Sequence, residues 1–223
     1  MTRLEESTTE DAQDLEGSVL FVPLGSTEQH GPHLPLNTDS VIAEAWANGM
    51  AKAALTRVAV APVLSYGASG EHQDFAGTLS IGTPALRLVL VEMVRSAAGR
   101  FARVVFVSGH AGNVEALSHA RQQMVDEGHR VDVLVPIVPG GDAHAGHTET
   151  SLMLYLRADL VHMDRAETGN DRPSSDLMDA MREGGVIAVS ANGVLGDPVD
   201  ADAADGKSIM NRLIVDGVEQ LGL

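Results

Sequence analysis

Apolar and polar positions along this chain fall into a repeating unit. A short apolar run is followed by a loop rich in glycine and histidine, then by a stretch with apolar residues at helical spacing. Residues 18–24 form the first run, a short buried strand that breaks at Gly25. Thr38 or Asp39 caps the helix that follows, in which Val41, Ile42, Ala45, Trp46 and Met50 recur. Residues 57–64 read as a second strand. Pro84 then opens an amphipathic helix with Leu86, Val89, Leu90, Met93, Val94 and Ala97 on one face. Residues 104–107 are a third strand before a helix over 114–127, and residues 131–138 a fourth before a helix ending near Leu156. Four such units in succession predict the α/β class: a doubly wound, mostly parallel sheet with helices on both faces of a single domain. Beyond them, 165–175 is a polar surface loop and 193–198 is rich in turns. A last helix over 201–221 turns Ile209, Leu213, Ile214, Val218 and Leu221 inward. Residues 1–17 are expected as an acidic tail, loose at its start, and 18–223 as the domain.

With 223 residues the chain suits one large domain. A formal charge of −16 repels phosphate backbones and anionic lipid, so neither nucleic acid nor a membrane is an expected partner. No apolar leader or uninterrupted apolar twenty is present, and the expected location is cytoplasmic. The absence of cysteine excludes disulfides, thiolate zinc sites and cysteine nucleophiles, leaving imidazole and carboxylate as the strong metal ligands.

In doubly wound folds ligands bind outside the carboxyl ends of the strands. The loops at that edge carry His30, His33, His72, His110, His144 and His147, six of the nine histidines. The first loop also holds Glu28 and ends at Asp39. Carboxylate and imidazole together are the ligands of Zn, Fe or Mn, and a carboxylate can bridge two ions. Two simpler readings stay open here: Asp39 as a helix cap, and the helix start after His110 as an anion site. No Gly-x-Gly-x-x-Gly, Gly-Lys-Ser/Thr phosphate loop, Gly-x-Ser-x-Gly elbow or His-Glu-x-x-His helix is present. What remains is a His/carboxylate cluster suited to hydrolysis by metal-activated water with histidine moving the proton.

Glu28-Gln29-His30-Gly31-Pro32-His33 with Asp39, Phe75-Ala76-Gly77-Thr78, Gly109-His110, and His144-Ala145-Gly146-His147-Thr148-Glu149-Thr150-Ser151 resemble the successive motifs of the creatininase family of metal-dependent amidohydrolases. The resemblance implies that Glu28 and His30 each bind one of two divalent ions (Zn, Fe(II) or Mn(II)). It further implies that Asp39 bridges the ions, that His110 is another ligand, and that His144 transfers protons. Members that hydrolyse creatinine carry a metal-binding Glu where this chain has Gly112. Glu149 is the expected substitute, its alternative being an acid at a helix start. The tryptophan that precedes the proton-transferring histidine in those members is also absent, 140–142 being Gly-Gly-Asp, so creatinine is not the expected substrate.

Residues 66–73, 139–142 and 193–198 are similar to the mycofactocin-system branch of the family. That similarity implies a peptidase that cleaves the C-terminal Val-Tyr-derived core from a modified precursor peptide during redox-cofactor biosynthesis. Glu71, His72 and His147 are then candidates for contacting the peptide, although a solvated loop tip would look the same. The resemblance also implies a homo-oligomer, a hexamer or similar ring. A hydrolase of a small cyclic amide or formamide is the second reading, and a non-catalytic metal-binding protein the third.

Overall fold

Val, Leu, Ala and Phe fill the strand runs with no polar alternation, as strands buried on both faces require. In the computed structural model, which describes residues 2–223, these runs form one five-stranded sheet. The strands are β1 (Thr2–Arg3), β2 (Val19–Leu24), β3 (Val58–Val60), β4 (Arg103–Ser108) and β5 (Val131–Leu134). All pairs are parallel and the order is β1-β3-β2-β4-β5. The chain leaves β2 for β3 on one side and then crosses to β4 on the other. The carboxyl end of β2 is therefore the topological switch point, where such sheets bind ligands.

Helices α1 (Thr9–Gln13), α2 (Thr38–Ala53), α3 (Gly82–Ala97), α4 (Val114–Asp126), α5 (His147–Arg157), α6 (Ser174–Gly184) and α7 (Ala203–Leu221) complete the chain. Alternate residues along the strands feed two cores. Leu20, Val22, Val104 and Phe106 pack with Leu86, Leu90, Leu117 and Met124 of α3 and α4. Phe21, Val105 and Val107 pack on the opposite face with Ile42, Trp46, Leu152, Met153, Met210 and Leu213 of α2, α5 and α7. The Trp46 indole N–H donates to the Leu213 carbonyl at 2.7 Å, which ties α2 to α7. The fold class predicted from the strand–loop–helix pattern is the one observed.

The differences lie at element ends. The second and fourth strands are shorter than expected because Pro62 and Pro136 lack the N–H a ladder needs. Past Val60 the chain detours and rejoins through one bridge, Leu24 to Leu64. That detour also accommodates Pro23 in the central strand. The Pro23 carbonyl accepts from Leu64 N–H at 2.9 Å, so its missing N–H faces the gap in the ladder. The acidic N-terminal stretch is ordered against the domain: β1 pairs with β3, and Thr8 and Asp11 cap α1 reciprocally. Helix α6 was not anticipated, and α5 begins at His147, earlier than the loop reading placed it. Among the described residues no helix is long and apolar enough to cross a membrane.

Candidate metal centre

The loop after β2, the first turn of α2, the turn over Gly70–His72, the end of β4 and the start of α5 meet at the switch point. Gly109 makes the closest of these approaches possible, since a Cβ there would lie 2.3 Å from the Asp39 carbonyl oxygen. Glu28, His30, Asp39, His72, His110 and His144 all come together there and are buried. Glu149 joins them at 19 % side-chain exposure.

Asp39 is not a helix cap. One carboxylate oxygen accepts from the Ser26 hydroxyl at 2.6 Å and lies 3.3 Å from His110 Nδ1, while the other lies 3.1 Å from His30 Nε2. Glu28 Oε2 is 3.2 Å from His110 Nε2, and Glu28 Oε1 is 3.4 Å from His72 Nε2 and 3.8 Å from His144 Nδ1. Both Glu28 oxygens are buried without a hydrogen bond. Glu149 accepts from the Ala145 N–H at 2.6 Å and stands 3.8 Å from His30 Nε2 and 4.0 Å from His144 Nδ1. It therefore combines the helix-start role with membership of the cluster. Ala145 itself has a φ of 52°, the one left-handed non-glycine among the described residues, next to His144.

The charges are strongly coupled. Burial works against the Glu28 carboxylate, but the His110 imidazole beside it outweighs that and its pKa falls to about 2. For His30, burial is outweighed by Asp39 and the pKa rises to about 10. Asp39 lies well below its ordinary value and His110 well above, since each gains from its partners more than burial costs it. Burial, reinforced by the nearby His30, holds His144 neutral, and burial alone is the largest effect lowering His72 to about 4 and raising Glu149 to about 7. In the protein without metal, the protons on His30 and His110 thus supply the positive charge that the carboxylates need.

Three overlapping triads bring ligand atoms within 4.8 Å of one another: Glu28–Asp39–His110, His30–His144–Glu149 and Glu28–His72–His144. A cluster of imidazoles and carboxylates around a fully buried carboxylate that makes no hydrogen bond fits divalent ions, because a cation satisfies oxygens left without one. Beside the triads opens a cavity of about 400 Å³, its walls including Ile42, Val135, Pro136, Met178, Met181 and Leu195.

The family described as creatininase, creatinine amidohydrolase, matches residues 5–221. The chain belongs to the creatininase family. The mycofactocin precursor peptide peptidase of Mycolicibacterium smegmatis is 52 % identical over 200 residues, covering 88 % of this chain and 81 % of that one. Among solved structures, a manganese creatininase superimposes with a TM-score of 0.80 at 26 % identity, covering 98 % of each chain. A creatininase variant of Zn–Zn type gives 0.77 at 25 %, covering 98 % of this chain and 97 % of that one.

Where creatinine-hydrolysing family members are expected to carry a ligand Glu, this creatininase-family chain uses the space otherwise. A Cβ on Gly112 would lie 2.4 Å from Glu71 Oε1 and 2.3 Å from His110 Nε2. The Glu71 carboxylate therefore lies over the glycine, 3.5 Å from His110 Nε2, and burial raises its pKa. Glu71 and His72 both line the cavity, and His72 reaches into the cluster itself. His147 does not join them. It starts α5 with its ring turned to Asp205 of α7 at 3.5 Å, and it lines a separate cavity of about 280 Å³. Its place in the sequence, beside the helix start, put it near the site, but the helical turn directs it outward. His33 is buried beneath the cluster with Nε2 2.8 Å from the Thr150 hydroxyl, and burial lowers its pKa to about 4.

Sequence reasoning passed over Ser26, Gln29 and Asp142. Asp142 accepts from the N–H groups of His147 and Thr148 and so caps α5 from a distance. An Asp five residues before a helix start was the available signal. Met178 and Met181 belong to α6, whose apolar spacing after Pro173 was legible but short.

Proposed function

We propose that this protein is a metal-dependent peptidase that removes the C-terminal Val-Tyr-derived core from a modified mycofactocin precursor peptide. Support comes first from Glu28, whose two buried and unbonded carboxylate oxygens are surrounded by imidazole and carboxylate groups. The substrate class follows from a curated relative at 52 % identity bearing that name.

In this reading Glu28, Asp39 and His110 would hold one divalent ion, and His30 and Glu149 would hold a second. Bound ions supply Lewis-acid chemistry, acidifying water and polarising the scissile carbonyl. Zn, Mn or Fe(II) suits this ligand set equally by donor type. His144, neutral and with Nδ1 toward Glu28 and Glu149, takes a proton released during attack and passes it to the departing peptide nitrogen. Glu71 borders the same space and receives the polar backbone of the peptide. Met178, Met181 and Leu195 take its apolar side chains, the flexible methionines adapting to irregular shapes. A cavity of about 400 Å³ holds more than one small ring, which favours a peptide over the cyclic-amide alternative. The same reading places the enzyme in the cytoplasm as a homo-oligomeric ring, which light scattering on the purified protein tests.

The test of function is to incubate the metal-loaded protein with modified precursor peptide and follow the products by mass spectrometry. A single hydrolysis, adding one water and freeing the Val-Tyr-derived core, is expected, and chelation abolishes it. Intact peptide, together with ring opening of creatinine or a related cyclic amide, would instead establish the second reading.

A further inference from the structure

Gln29 lies between two proposed ligands, is 5 % exposed, and uses every polar atom of its side chain. Its Oε1 accepts from the Gly31 N–H at 2.8 Å, which fixes which end of the amide is oxygen. Its Nε2 is 3.0 Å from the Gly193 carbonyl, 2.8 Å from His72 Nδ1 and 3.1 Å from His144 Nε2. An amide nitrogen carries two hydrogens, so not all three contacts are donated bonds. His144 Nε2 settles the allocation, because it also lies 2.9 Å from the Gln29 backbone carbonyl, which only accepts. His144 Nε2 must therefore carry the ring proton and give it to that carbonyl. The two amide hydrogens go to Gly193 O and His72 Nδ1.

The tautomers follow. His144 keeps a lone pair on Nδ1, the nitrogen that faces Glu28 and Glu149. His72 accepts at Nδ1, so its proton sits on Nε2, 3.4 Å from Glu28 Oε1. A protonated nitrogen cannot ligate a cation. We propose that Gln29 is a positioning residue that locks His72 and His144 in the same Nε2–H tautomer, turning the ring N–H of His72 toward Glu28 and leaving His144 Nδ1 free. Of the three triads, Glu28–His72–His144 then presents a ring N–H where an ion would need a lone pair, and two ion sites remain. Gly193 belongs to the device, since a Cβ there would sit 2.0 Å from Gln29 Oε1. Outer partners that fix the tautomer of working histidines carry costs of roughly 10–100-fold in affinity or activity when removed.

The role of His144 Nδ1 in turnover rests on the peptidase reading, but the tautomers do not, and they are read without substrate. The zinc-loaded protein, labelled with 15N in its histidine rings and assigned with a His72→Ala variant, is examined by NMR. Wild type is expected to show a protonated Nε2 and an unprotonated Nδ1 at His72. A zinc-bound His72 nitrogen, or a proton on His72 Nδ1, overturns the proposal. Gln29→Glu replaces the donating amide by an acceptor and is expected to bring a proton onto His72 Nδ1. It should also lower kcat for the precursor peptide roughly 10–100-fold with little change in KM. An unchanged His72 tautomer in a folded Gln29→Glu protein contradicts the lock. If that variant does not fold, the wild-type ring shifts decide the matter alone.

Discussion

Glu28, Asp39 and His110 are each at most 5 % exposed and come from the loop after β2, the first turn of α2 and the chain just past β4, whereas the second ion site, His30 and Glu149 with His144 beside them, borrows Glu149 from the first turn of α5 at 19 % exposure. The first triad rests on the middle of a five-stranded sheet and is steadied from outside by Ser26. The second depends on the turn before α5, where Ala145 takes a left-handed conformation and its N–H holds Glu149. One cluster thus contains a site built on strand ends and a site built on a strained turn. Sites on sheet scaffolds are more closely held than sites on loops. The sheet-based triad is expected to bind its ion tightly, and the turn-based triad to exchange its ion more readily.

The largest effect should come from Glu28→Gln, which removes the carboxylate nearest to His72, His110 and His144 together. Peptide cleavage should fall by more than the roughly 10–100-fold cost of losing an outer partner, as read by initial rates. Chelation is the next test. An ion present at a hundred times its Kd stabilises by about 2.7 kcal/mol. For a chain of this size that corresponds to a drop in Tm of about 5–10 °C per site on adding a chelator, measured by calorimetry. A two-step loss as chelator is raised would separate the loosely held ion from the tight one, and a single step would erase the distinction.

Acid and base should then act on the metal-free protein in opposite ways. His30, raised from 6.5 to about 10, stabilises fully below its unfolded pKa, and that contribution is lost as pH rises through 10. His72 and His33, lowered from 6.5 to about 4, stabilise above 6.5 and lose that contribution as pH falls through 4. Chemical denaturation across pH should therefore peak between these limits. Zinc affinity should rise with pH from 6.5 toward 10, because an ion must displace the protons on His30 and His110. The smallest effect concerns Ala145→Gly. Relief of the left-handed backbone and loss of a buried methyl are each about 1 kcal/mol and oppose one another, so stability should change by less than about 1 kcal/mol. Zinc affinity at the turn-based triad should weaken while the sheet-based triad keeps its own.

Much of this arrangement was legible from the residues. Unbroken apolar runs such as 18–24 and 104–107 gave parallel strands because nothing polar marked a wet face. Histidines gathered in loops gave the edge of the sheet at which the cluster lies. The turn of Gly70–His72 was legible as a loop but not as a wall of the cluster, because its approach to β4 depends on tertiary packing over Gly112. His147 was drawn in by its neighbours in sequence, yet successive helical residues point in different directions and α5 turns it toward Asp205. Gln29 escaped notice because an amide carries no charge and no metal preference. Its importance lies in distances to His72, His144 and Gly193, residues far away along the chain.

The most direct test of the account is a calorimetric zinc titration of the chelated protein, wild type beside Glu149→Gln, with the bound metal counted by mass spectrometry. Wild type should take up two ions per chain in a tight and a weaker phase. The variant should retain the tight phase alone. Two undiminished phases in Glu149→Gln, or a single ion in wild type, would contradict the division of this cluster into a sheet-held and a turn-held site.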